Sequence, residues 1–198
     1  MLATEDFIGR KEKDPNLRAV MNISWIIRHS PERKGEKAIE EAIAQGIHVV
    51  YAAGNEHQDQ CSPSSPKRHV ENVGQIYVSG IIPQAPDDHP DKTQPWPMSF
   101  QWRFNYGNCV DLVAPGEPIV CASAKGGTFN HAGTSFAAPL VAGTVAAILS
   151  TPAGRDLTPA QMKATIMDRF TIPGVVDVPD GSPDKMLVIT ELLHLPHN

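Results

Sequence analysis

The order of three segments near the start of the chain restricts its fold more than any other feature. "RAVMNISWII", Arg18 to Ile27, is apolar, rich in β-branched residues and lacks the alternation of a one-faced strand, so it predicts a strand buried on both sides. "SPERKGEKAIEEAIAQG" follows, with Ser30 as cap, a proline in its first turn, Ala38, Ile39, Ala42 and Ile43 on one face, and Gly46 at its end. That pattern predicts a helix. "IHVVYAAGN", Ile47 to Asn55, is a second apolar strand. Strand, helix, strand in this order gives a βαβ unit, and therefore parallel strands and an α/β fold.

The remaining segments extend this plan across a single domain of 198 residues. Thr4 to Lys13 reads as an amphipathic helix closed by Pro15. After a polar loop from Glu56 to Asn72, long enough to be a functional loop, "VGQIYVSGII" supplies a third strand. Pro83 to Pro97 holds five prolines in fifteen residues and reads as a surface insertion rather than a domain boundary. "CVDLVAPGEPIVCAS" gives two short strands around a Pro-Gly turn, "LTPAQMKATIMDRF" a helix with Pro159 at its start, and "KMLVITELL" the close of the domain.

A net charge of -5 argues against nucleic acid or an anionic membrane as partner. No apolar run reaches a membrane span, and the opening "MLATEDFIGRKEKDPN" becomes charged before a signal-peptide core forms, so no targeting segment is expected and the cytoplasm is favoured. Cys61, Cys109 and Cys121 show no CxxC spacing. Three unpaired thiols of an intracellular chain are expected, with one bridge and one free thiol as the alternative.

"FNHAGTSFAAPLVAGTVAAILS", Phe129 to Ser150, carries the candidate chemistry. A hydroxyl nucleophile must be exposed, must lose its proton as it attacks, and must sit beside donors for the oxyanion it creates. Ser135 stands where an apolar helix begins, facing free N–H groups and the positive end of the helix dipole. Taken alone, Gly-Thr-Ser equally describes a helix capped by Thr134 or Ser135. Asn55, at the end of the strand "IHVVYAAGN", is an amide able to donate to an oxyanion from a strand end; alone it equally describes a Gly-Asn turn.

Together, "VMNISW", "GIHVVYAAGNE", "YGNCVDLVAPG" and "GTSFAAPLVAG" resemble four sequence blocks of the subtilisin-like serine proteases, the subtilases, in the family's order. The resemblance implies a three-layer fold around a mainly parallel sheet and peptide-bond hydrolysis by acyl transfer. It assigns Ser135 as nucleophile and Asn55 as oxyanion donor, the Ser135 N–H being the second donor. Removing such an asparagine costs about 10²–10³ in turnover, a figure measured in a member of this family. The substrate-binding residues the resemblance implies are Ser24, Trp25 and Ile26, on the strand that holds the substrate backbone, Ala53 and Gly54 on the opposite pocket wall, and Thr134, before the nucleophile. No organic cofactor is implied, and no metal ligand is assigned. Asp111 matches a position that in some subtilases helps bind a cation such as calcium, although a lone carboxylate does not make a site.

The sequence also departs from that family. Subtilases order their triad Asp, His, Ser. No "DTG" or "HGT" block precedes Val20, so the whole of 1–198 reads as the C-terminal part of a catalytic domain, incomplete at its N-terminal side. The expected partners are a polypeptide substrate and a separate segment or chain carrying the Asp and His; without these, the chain is expected to be inactive. His131, four positions before Ser135, and His57 are the alternative bases, both expected in solvated loops, while His48 is read as a tolerated strand residue. Ile26 and Ile27 replace glycines common in the family, and Leu140 replaces a histidine. Two rival readings are a non-catalytic module that binds peptides or partners through the same crevice, and a truncated product whose exposed strand edges self-associate.

Overall fold

A computed structural model describes residues 2–25, 34–62, 73–83, 98–100, 103–179 and 181–190. Its elements in chain order are α1 (Leu2–Lys13), β1 (Val20–Ile23), α2 (Lys34–Ala44), β2 (His48–Ala52), β3 (Gln75–Pro83), β4 (Met98–Phe100) and β5 (Leu112–Pro115). There follow β6 (Ile119–Ala122), β7 (Thr128–His131), α3 (Thr134–Leu149), α4 (Pro159–Arg169), β8 (Thr171–Ile172), β9 (Val175–Val176) and β10 (Met186–Leu187). The first strand is shorter than Arg18 to Ile27; Ile26 and Ile27, like the predicted Ser30 cap of α2, fall outside the described residues. So do residues 84–97, which hold nearly all of the proline-rich insertion.

The main sheet runs β1-β2-β3-β5-β10-β8. Its first five strands are parallel, β8 closes it antiparallel to β10, and β4 with β9 extends the far end of β3. β6 and β7 form a separate antiparallel hairpin. Among the described residues β1 pairs only with β2, leaving its outer edge open.

Period-2 side-chain direction explains why β2 is apolar throughout. Val50 and Ala52 face one layer, with Ala137, Ala138, Val141 and Val145 of α3 and Met162 and Ile166 of α4. Val49, Tyr51 and Ala53 face the other, with Ile8 of α1 and Ile39 and Ala42 of α2. Helices on both faces of a mostly parallel sheet are the three layers of an α/β fold. The alanines of α3 let its backbone lie close to the sheet. Among the described residues, no helix is long and apolar enough to cross a membrane.

The expectation of three unpaired thiols is corrected: Cys61 and Cys109 form a disulfide across 48 positions of sequence, with Cα atoms 5.4 Å apart, and only Cys121 is free. Spacing along the chain gave no sign of this pair, because the approach of the loop after β2 to the segment before β5 is a tertiary event.

Candidate active site

Ser135 is the second residue of α3, where a helix leaves its first N–H groups unpaired. No side chain caps this helix from Gly133. Instead Asn55 reaches across from the end of β2, and its Oδ1 accepts from Thr134 N at 2.8 Å and from Thr134 Oγ1 at 3.2 Å. Gly54 N in turn donates to Thr134 Oγ1 at 2.9 Å. Thr134 is fully buried and ties the strand end to the helix start.

This geometry fixes which way the Asn55 amide faces. Its oxygen is engaged by Thr134, which leaves the Nδ2 donor unpaired among the described residues. Ser135 N is likewise unpaired among them, while Phe136 N donates to the Gly133 carbonyl at 3.0 Å. Gly133 is at φ 149°, a backbone conformation that favours glycine; a Cβ placed there would be in ordinary contact with Asn55 Nδ2 at 3.4 Å. Two N–H donors, from the end of β2 and the start of α3, are thus left without a bond among the described residues, the kind of group that oxyanion stabilisation uses.

A second clasp joins Ser135 to β1. Pro139 has no N–H for the Ser135 carbonyl four residues earlier, and that carbonyl accepts from Ser24 Oγ at 2.9 Å instead. In return Ser135 Oγ donates to the Ser24 carbonyl at 3.2 Å. The proline in the first turns of α3 therefore has a compensating partner just beyond the end of β1.

The structure brings together Ser135, Asn55, Thr134, Gly54, Ala53 and Ser24 of the residues singled out from the sequence. Trp25 follows directly and is 80% exposed. Ile26 lies outside the described residues. No histidine hydrogen-bonds Ser135 among the described residues. His131, in β7, is exposed, accepts from Ala132 N at 3.3 Å, and packs its ring against Phe129 and Phe136. His57 is exposed, at φ 50°, with its ring against Tyr106.

Behind the site, Tyr77 stacks on Tyr51 and donates its hydroxyl to the Ala53 carbonyl at 3.4 Å. Burial, with the Tyr51 hydroxyl and Glu56 nearby, raises the Tyr77 phenol far above its ordinary range and keeps it a donor. Both carboxylate oxygens of Asp111 are engaged within the chain: Oδ2 accepts from Tyr77 N at 2.8 Å, and Oδ1 pairs with Lys163 Nζ of α4 at 2.7 Å. Lysine supplies the positive charge, and pins α4 to the start of β5. Sequence reasoning missed Lys163 and Asn105, the buried residue that braces the Asn55 loop. Each sits in a pattern that reads equally well as solvated helix face or turn.

Comparison with known proteins identifies the family and the fold. The profile of the Subtilase family matches residues 3–185. The chain is 36% identical to the alkaline extracellular protease of Yarrowia lipolytica over 189 residues, covering 93% of this chain and 38% of that protein. It is 32% identical to cerevisin of Saccharomyces cerevisiae over 164 residues, covering 76% of this chain and 23% of that protein. The chain thus spans well under half the length of these relatives. The crystal structure of a cold-adapted subtilisin-like serine proteinase superposes with a TM-score of 0.67 at 29% identity, over 91% of this chain and 58% of that one. With its parallel three-layer sheet and a serine and an asparagine converging where α3 begins, the chain belongs to the subtilase family.

Proposed function

We propose that this chain carries the nucleophile and the oxyanion hole of a serine endopeptidase whose Asp and His come from a segment outside this sequence. The observation that supports the reading is the held amide of Asn55, whose oxygen is engaged by Thr134, the residue before Ser135, so that Nδ2 makes no bond among the described residues. In the reaction Ser135 Oγ attacks the carbonyl carbon of a peptide bond, and its proton passes to the histidine of the other segment. Asn55 Nδ2 and Ser135 N hold the oxygen as it becomes an anion. The histidine then protonates the leaving amine, and water hydrolyses the Ser135 ester by the same steps in reverse. No organic cofactor takes part. Ser24 and Trp25 would line one side of the substrate backbone, and Ala53 and Gly54 the other. The Cys61–Cys109 disulfide supports an oxidising compartment as the place of action.

The second reading is a non-catalytic module that binds peptides in the same crevice; it is favoured by the bond that occupies the Ser135 hydroxyl at the Ser24 carbonyl. A fluorophosphonate probe separates the two. The chain alone should stay unlabelled, and adding the segment that carries the Asp and His should give labelling that Ser135→Ala abolishes. Persistent silence with that segment present would favour the binding module. Strong labelling of the isolated chain would show that the base lies within it.

A further inference from the structure

The segment that presents Asn55 lies in no regular element, so something other than a ladder must hold it. Residues 53–58 leave the end of β2 as a bend, with Asn55 to Asp59 exposed. Opposite them stands Asn105, fully buried. Its Oδ1 accepts from Glu56 N at 2.9 Å and Gln58 N at 3.0 Å. Its Nδ2 donates to the Ala53 carbonyl at 2.8 Å and to Glu56 Oε2 at 2.7 Å. Its backbone N–H donates to the Gly54 carbonyl at 3.0 Å, and its own carbonyl accepts from Ser79 Oγ of β3 at 2.6 Å.

One side chain thereby uses both acceptor sites and both donor hydrogens of its amide, all on the Asn55 loop. The side-chain bonds fall on residues 53, 56 and 58 and the backbone bond on 54, bracketing Asn55 without touching it. The contact is close enough to dictate the neighbouring residue: a Cβ on Gly54, at φ 100°, would stand 2.4 Å from Asn105 Nδ2. Asn105 is itself anchored, because the preceding Phe104 is buried with Ile81 and Val113 of the sheet. Since Gly54 N also holds Thr134 Oγ1, the brace continues to the start of α3.

We infer that Asn105 is a positioning residue that sets the Asn55 amide against Ser135, a proposal that rests on the reading of Asn55 as oxyanion donor. A buried amide with every hydrogen bond satisfied fixes one arrangement of the loop, whereas a shorter side chain leaves buried N–H and C=O groups unpaired and several arrangements open. The reporter is the Thr134 amide, whose acceptor is Asn55 Oδ1.

Amide hydrogen exchange by NMR on the chain, wild type against Asn105→Ser, tests the inference. Thr134 N–H should lose protection by about tenfold or more, and the Asn55 side-chain NH₂ signals should shift or broaden, while Val50 and Val78 in the sheet change by less than about twofold. Ser79→Ala removes the bond at the Asn105 carbonyl without touching the Asn55 loop and should give the same pattern at smaller size, with Val50 as the sheet reference; it decides the question if Asn105→Ser does not fold. Unchanged protection of Thr134 would overturn the inference. So would a loss shared equally by Thr134 and the sheet, which would make Asn105 a packing residue only. Failure of wild-type Ser135 to react with the fluorophosphonate, even with the Asp and His segment added, would instead sink the endopeptidase reading and leave the exchange result standing.

Discussion

Acid should destabilise this fold through His48, a residue remote from the chemistry. His48 lies in β2 in register with Val20 and is only 4% exposed. Its Nδ1 is buried with no hydrogen-bond partner among the described residues. It borders a cavity of about 250 Å³ whose other charged walls are Lys11 of α1, Arg18, Arg155 and Asp156. Burial first, and the Lys11 charge second, lower its pKa from 6.5 to about 4. Below pH 6.5 the unfolded chain takes up a proton here that the folded chain refuses until about pH 4, so falling pH favours unfolding and stability rises with pH across that window. With those two pKa values the loss is about 2 kcal/mol between pH 7 and 5, and about 3 kcal/mol by pH 4. His48→Val keeps a strand-forming side chain and removes the titration. Urea unfolding of both proteins at pH 7, 6, 5 and 4 should show the variant flatter by that amount, other groups cancelling in the difference. Parallel pH profiles, or a His48 NMR titration near 6.5, would refute the reasoning.

Two further outcomes follow from contacts that span the sheet. Reducing the Cys61–Cys109 bridge, or replacing both cysteines by alanine, should cost about 2–4 kcal/mol and lower the denaturant midpoint, because the bridge closes a long loop; an unchanged midpoint would mean that Asn105 and the Asp59–Tyr106 bridge hold that loop unaided. Asp111→Asn should cost about 1–3 kcal/mol in chemical unfolding, since Lys163 loses its partner at a site where the two side chains are 16% and 22% exposed. Calcium should leave the wild-type midpoint unchanged; a calcium-dependent rise that Asp111→Asn removes would show that Asp111 binds the ion.

Much of the α/β plan is legible in the chain because burial on both faces leaves a continuous apolar run. "HVVYA" is such a run, and its neighbours in the sheet order read the same way. The short strands β4, β7, β8 and β9 escaped notice: two to four residues carry too little periodicity to stand out from a turn. Ser135 and Asn55 stood out as candidates because a hydroxyl at a helix start and an amide at a strand end are local patterns, and the four family blocks join them.

What holds those two residues in place is another matter. By itself the sequence determined the parallel sheet, the long helix within Phe129 to Ser150, and Ser135 and Asn55 as candidates, because each depends on the pattern of side chains within one short segment. Only the tertiary structure decided that Asn105 braces the Asn55 loop, that Ser24 takes the carbonyl freed by Pro139, that Lys163 fills the charge at Asp111, and that Cys61 meets Cys109. Each of these joins positions tens of residues apart, and hydrogen bonds, ion pairs and disulfides form according to distance in space, which spacing along the chain does not set.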